Sequence, residues 1–208
     1  MNIITTKTNR ELFLEKLAPY INETDLECVY DAYMFAKYAH RGQNRTQGER
    51  YFEHPRAVAE IIIDELGILN DWRLIVVALL HDVWENTWLL TANLTKKIFG
   101  EDVPQWLLFL TREEEHSPDE FDKYIKKIVE CGIWQVILVK LCDRLHNLRS
   151  MDTLEKAWCK KYLEQTEKYF YNLAKVFIRI VPKDMTGKAI ALEQALIMEI
   201  NKSKLYHL

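Results

Sequence analysis

Cysteine is scarce and poorly placed for chelation. Cys28, Cys131, Cys142 and Cys159 are the whole complement, and no two form a CxxC pair. A zinc ribbon therefore has no support, and the thiols read as core filler in a reducing compartment. Glycine and proline are few, at 6 and 5 residues, and neither an internal repeat nor a low-complexity stretch interrupts the chain. Long apolar runs are missing too: the longest, Leu74 to Leu80, is far too short to span a bilayer. The opening stretch, Met1 to Arg10, is polar and lacks the apolar segment of a signal peptide. An excess of positive charge is also absent. The formal net charge is -3, which argues against a protein that coats nucleic acid over a broad surface. The expectation is a cytoplasmic protein with neither a membrane nor a nucleic-acid partner.

What is present points to helices. The 208 residues, 49% of them hydrophobic, suit one ordinary globular domain. Thr24 and Glu27 have the spacing of a capping box, opening a helix through about Ala39. His40 to Glu53, with Gly42 and Gly48, reads as a loop. Pro55 at a first helical position and Gly67 just past the end bracket the next helix. Asn70 can cap a helix through His81 to about Glu85. Ser117, Pro118 and Glu120 signal a start and Gly132 a stop. Ile133 to Arg149 reads as a buried helix. Leu154 to Ile180 is amphipathic and long enough to bend or break, and Gly187 to Lys202 fits a last helix. No strand–helix alternation is visible, so the class is all-α. Residues 1–182 are expected to form the main domain, with 183–208 as a helical extension packed on it.

The chemistry concentrates in a few polar residues set in apolar helices. His81 and Asp82 follow Leu79 and Leu80 and precede Val83, Trp84 and Glu85. A buried carboxylate needs a partner or a metal. On one helix His81 and Glu85 share a face, as do Asp82 and Asn86, so one turn can supply ligands and a base. A His–Asp pair satisfied by its own hydrogen bonds would leave the same dipeptide. Asp143 repeats the pattern inside another apolar helix, with Asn147 one turn on, and His54 stands at a loop-to-helix boundary. Two imidazoles and two carboxylates suit Mn²⁺, Fe²⁺ or Zn²⁺ with positions left for water.

Four stretches carry a resemblance to a known family. They are Ala39 to Arg45, Gly48 to Pro55, Ala78 to Val83 and Lys140 to Arg149. In that order and spacing the chain, from roughly Leu26 to Ile180, resembles the HD superfamily of metal-dependent phosphohydrolases. The match is nearest to the hydrolase domain of RelA/SpoT-type enzymes and the small alarmone hydrolases. The resemblance implies a compact helical bundle that removes the 3′-pyrophosphate of guanosine tetra- and pentaphosphate, usually with Mn²⁺. The larger members also carry a synthetase domain, for which this chain is too short, so hydrolysis alone is expected.

By the same resemblance His54, His81, Asp82 and Asp143 match metal ligands, and Glu85 matches the acid that handles the attacking water. Arg45, Asn147 and Ser150 match nucleotide-pocket positions, Ser150 standing where the family usually has threonine. Lys140 and Arg50 are expected to supply cations for the phosphates. Arg144 is expected to be structural, paired with a buried acid. His40 and His146 are read as support for the site, and His116 and His207 as surface residues. The aromatic series Trp158, Tyr162, Tyr169, Phe170 and Phe177 is read as core, with Tyr162 or Tyr169 able to line the pocket. Lys160 and Lys161 are read as a solvated face.

The departures from the family pattern are informative. Asn86 replaces the second acid of a Glu–Asp pair, and an amide cannot take a proton from water as a carboxylate can. Thr46 replaces a lysine, Arg50 a proline, and Trp84 a small aliphatic residue. The alternatives are therefore a hydrolase of another phosphorylated nucleotide, or a catalytically impaired module that binds metal and nucleotide. The sequence assigns no oligomeric state.

Overall fold

The computed structural model describes residues 7–46, 48–87, 90–112, 119–152 and 154–207. Among these, every regular element is helical apart from one isolated antiparallel bridge between Asn44 and Arg50. No helix of the described residues is long and apolar enough to cross a membrane.

Helix α1 (Asn9–Leu17) opens with a capping box. Thr8 Oγ1 accepts from the Glu11 amide, and the Glu11 carboxylate accepts from the Thr8 amide. Helix α2 (Glu23–Ala39) starts two residues earlier than Thr24 and Glu27 imply, because Asn22 Oδ1 accepts from the Asp25 amide at 2.9 Å. Helix α3 (Glu53–Glu60) places Pro55 third and not first. It is still within the turn whose amides lack helical acceptors, so the missing N–H costs nothing. A π-helical turn (Ile61–Glu65) follows, closed by the Leu66 amide bonding to Ile61 O. Gly67 then takes φ +60, a conformation that costs side-chain-bearing residues.

Helix α4 (Trp72–Leu80) is capped by Asp71, not Asn70, whose carboxylate accepts from the Leu74 amide. It ends before His81. The short helix α5 (Val83–Asn86) forms a separate turn, so the expected single helix through Glu85 is broken at the His–Asp pair. His81 Nδ1 lies 2.7 Å from Ala78 O, and the side chain takes a carbonyl that a continuing helix would use for its own ladder. Helices α6 (Ala92–Phe99) and α7 (Asp102–Leu110) were not anticipated, although Thr91 caps α6 and Gly100, at φ +82, ends it. Helix α8 (Glu120–Glu130) starts next to the expected Ser117–Pro118 signal, which lies outside the described residues. Helices α9 (Trp134–Arg149), α10 (Lys156–Ile180) and α11 (Thr186–His207) complete the chain. α10 runs unbroken, having no glycine or proline to interrupt it.

Two helices form the centre. All seven residues from Leu74 to Leu80 in α4 are fully buried, as are Val136 to Val139 in α9. α2 and α3 pack on α4, α7 bridges α4 and α9, and the α10–α11 pair lies against α9. α11 contributes Ala189, Leu192, Leu196 and Ile200 to the core. Its last turn brings His207, expected at the surface, to a side-chain exposure of 5% with Nε2 3.8 Å from Asp152. Of the aromatic series in α10, Phe170 and Phe177 are buried, while Trp158 is exposed and stacks on Tyr162 at 4.7 Å. Cys142 and Cys159 are buried and Cys28 and Cys131 half-buried, all as free thiols. Burial raises the pKa of each, so they remain protonated.

A test of this centre is Leu79→Ala. Leu79 is fully buried, and truncation there should cost about 2–5 kcal/mol through lost transfer energy and the cavity left behind. Denaturant unfolding should show a lower midpoint with an unchanged slope.

Candidate metal centre

Four of the predicted residues meet at one point. α3 supplies His54 in its first turn, the break between α4 and α5 supplies His81 and Asp82, and the middle of α9 supplies Asp143. His54, His81 and Asp143 each place a donor atom within 4.8 Å of the other two. Asp82 stands beside this triad, with one oxygen 3.4 Å from His81 Nε2 and the other 3.6 Å from His54 Nε2. His54 Nε2 is 3.2 Å from Asp143 Oδ1.

The hydrogen bonds around the cluster fix which atoms face inward. His81 Nδ1 donates to Ala78 O, which leaves the buried Nε2 as a lone pair without a hydrogen-bond partner. Arg45 Nη1 is 3.3 Å from His146 Nδ1, and a guanidinium can only donate. His146 Nδ1 is therefore an acceptor, and His54 Nδ1, 2.8 Å away, must be the donor that shares it. That assignment comes from the network, and it turns the His54 Nε2 lone pair toward Asp82 and Asp143. Two imidazole lone pairs and two carboxylates thus converge in a site that is almost closed to water. Such a set is mutually repulsive without a cation and suits a divalent metal, as histidine ligands whose other nitrogen is tied to an acceptor commonly do.

The carboxylates are held ionised. Burial by itself would raise Asp143, but Lys140 keeps it well below the usual carboxylate range. Lys140 Nζ donates to Asp143 Oδ2 at 2.8 Å and Asn147 Nδ2 to Oδ1 at 2.6 Å. Asp82 is likewise lowered despite burial, and accepts from Tyr51 Oη at 2.9 Å. Lys140 stays charged because Asp143 outweighs the cost of its burial.

The other predicted residues divide. Arg45 crosses from the loop to α9, donating to Asn147 Oδ1 and, at 3.3 Å, to Ser150 Oγ. Glu85 lines the same cavity of about 210 Å³, with Oε1 3.1 Å from Arg112. Asn86 also lines it, but its amide donates to Tyr51 Oη and to Asp82 O. Arg50 is not brought to the cluster. It is paired with Glu53 at the surface and lines a separate hollow, because the Asn44–Arg50 bridge turns the loop outward there. Lys160 and Lys161 are exposed.

Arg144 differs from expectation. No acid is paired with it among the described residues. Its guanidinium lies 4.0 Å from the ring centres of Tyr162 and Phe170, and bonds Thr166 and Gln165. The aromatic faces supply part of the stabilisation a carboxylate would give. Tyr162, read as able to line the pocket, does so, and Tyr51, Arg112 and Gln165 also line the cavity without having been singled out. Tyr51 lies within the Gly48 to Pro55 stretch but carries no signal of its own. Arg112 follows a helix that the sequence did not announce.

The HD domain family matches residues 32–176. The chain belongs to the HD domain family. It is 32% identical over 163 residues to the bifunctional (p)ppGpp synthase/hydrolase SpoT of Escherichia coli K12, covering 74% of this chain and 22% of that protein. It is 35% identical over 150 residues to a guanosine-3′,5′-bis(diphosphate) 3′-pyrophosphohydrolase of Haemophilus influenzae, covering 68% and 21%. Against a GTP pyrophosphokinase of Myxococcus xanthus the identity is 30% over 209 residues, covering 90% and 26%. The chain thus spans roughly a fifth to a quarter of the length of these relatives. A solved structure of a metazoan ortholog of SpoT that hydrolyzes ppGpp superposes with a TM-score of 0.64 at 24% identity, covering 87% of this chain and 96% of that one. That likeness establishes the all-helical HD fold.

Two tests follow from the geometry. His81→Ala removes the orphaned lone pair and should abolish stoichiometric binding of Mn²⁺ or Zn²⁺ in metal analysis; full occupancy in the variant would overturn the site. The second concerns His146, whose pKa burial, His54 and Arg45 push down from 6.5 to about 3. The unfolded chain therefore takes up a proton that the folded chain refuses across that window. The metal-free protein should lose stability as pH falls from about 6.5 toward 3, and His146→Gln should flatten this slope in denaturant unfolding.

Proposed function

We propose that the chain is a metal-dependent phosphohydrolase that removes the 3′-pyrophosphate of guanosine tetra- and pentaphosphate, working with Mn²⁺. The observation that carries this reading is the convergence of two imidazole lone pairs and two ionised carboxylates beside the Arg45–Asn147–Ser150 group. The names of the relatives supply the substrate class. A divalent ion held by His54, His81, Asp82 and Asp143 supplies Lewis acidity toward phosphoryl oxygen and water.

The chain's own residues do the rest. Arg45 and Lys140 present fixed positive charge at the cavity wall, where developing phosphoryl charge is best balanced. Asn147 and Ser150 hold Arg45 and offer polar contacts to a ribose or phosphate. Glu85 takes the proton from the attacking water, and the substrate's phosphates draw Arg112 away from it. Asn86 orients and does not accept protons, since its amide already donates to Tyr51 and Asp82 O. We place residues 183–208 as a brace for α9 and α10.

That use of Asn86 also favours a second reading, in which the chain binds metal and nucleotide with little turnover. Loss of a positioned base typically costs about 10²- to 10⁴-fold in rate. Pyrophosphate release from guanosine tetraphosphate with Mn²⁺ separates the two. Release by the parent, lost in His81→Ala, is the expected result. Release only by Asn86→Asp would select the impaired module. Release by neither would move the substrate to another phosphorylated nucleotide.

A further inference from the structure

Behind the metal cavity lies a larger hollow of about 540 Å³, formed by the C-terminal half of α2 and the loop that follows. Its wall carries Lys37, Arg41 and Arg50 and, among the described residues, no carboxylate. Arg50 is engaged by Glu53. Lys37 and Arg41 are exposed and have no ion-pair partner among the described residues. Beside them are the half-buried Met34 and the 60%-exposed ring of Tyr38. A chain with net charge -3 has thus gathered three cations against an aromatic and apolar wall, in a concavity of the size that small ligands occupy.

We propose that this hollow is a second site, for a nucleoside di- or triphosphate, independent of the metal cavity. The phosphates meet Lys37, Arg41 and Arg50, and the base lies on Tyr38 and Met34. The concave shape favours a small ligand over a nucleic-acid strand. The site is backed by the metal centre without opening into it. His40, at its floor, stacks on Tyr51 with ring centres 4.6 Å apart, and Tyr51 Oη donates to Asp82. Gln43, also in the wall, donates to Asn86 O at 3.3 Å. An occupant therefore bears on Tyr51 and Asn86 from behind, which is the arrangement of a regulatory site.

The test is a fluorescence titration of the full chain with mant-ATP and mant-GTP in EDTA. Saturable binding of at least one is expected. The surface variant Lys37→Glu/Arg41→Glu should weaken it by about tenfold or more. Tyr38→Ala should weaken it about fivefold or more, as for a lost stacking contact. His81→Ala should bind as the parent does. Saturable binding of neither nucleotide would overturn the proposal. So would a loss in His81→Ala equal to that in the charge reversal, which would place the nucleotide in the metal cavity. Displacement by inorganic pyrophosphate as effective as by unlabelled nucleotide would also overturn it, since the hollow would then read phosphate alone.

Discussion

The buried carboxylate of Asp143 is the constraint around which the rest of the site is arranged. It sits in the middle of α9, among side chains that exclude water almost completely. An anion there is costly unless it is met from several directions. Lys140 and Asn147, one turn to either side on the same helix, meet both of its oxygens. His54 approaches from α3. Each of these groups is in turn fixed by something else, so the demand for compensation spreads outward from one residue.

The outward spread explains the loop. Arg45 would be a mobile side chain on a polar segment, yet it is tied to Asn147, Ser150 and His146, all near the C-terminal end of α9. Those bonds secure the 40–52 loop to the core. They also set the tautomer of His146, and through it that of His54. Tyr51, from the same loop, reaches Asp82. Ligand orientation is thus governed by residues that never touch the ligand point themselves, a common arrangement where a metal must be held in one geometry.

The break between α4 and α5 belongs to the same logic. A continuous helix would give His81 and Asp82 ordinary helical directions about 100° apart. Ending α4 at Leu80 lets both residues face His54 and Asp143. The turn that follows keeps a bond from the Asn86 amide to Asp82 O, so Glu85 and Asn86 stay over the cavity. The buried apolar run Leu74 to Leu80 of α4 stabilises this departure, since a buried Leu, Ile or Val contributes about 1.5–3 kcal/mol.

The helical class, the boundaries of α9 and the end of α8 at Gly132 were legible because periodicity and glycine punctuation are local properties. The ligand-type residues stood out for a similar reason: an acid or imidazole in an apolar helix is anomalous wherever it occurs. Caps were less legible. Asn22 and Asp71 replaced the expected Thr24 and Asn70, because neighbouring short polar side chains compete for the same amides and packing selects between them. Helix α6 carries a Thr91 cap and a Gly100 stop that were overlooked, whereas α7 has no side-chain cap to mark its start. Which cations reach the cluster was not a local property at all. Arg45 and Arg50 are five residues apart in one loop, and only the bridge at Asn44 and Arg50 sends one inward and the other out. Arg144 sits next to an acid in sequence, yet helical geometry turns adjacent side chains apart, and it found aromatic faces instead. By itself the sequence determined which residue types were available for metal chemistry. The tertiary structure alone decided which of them share a point in space, because that depends on how separate helices cross.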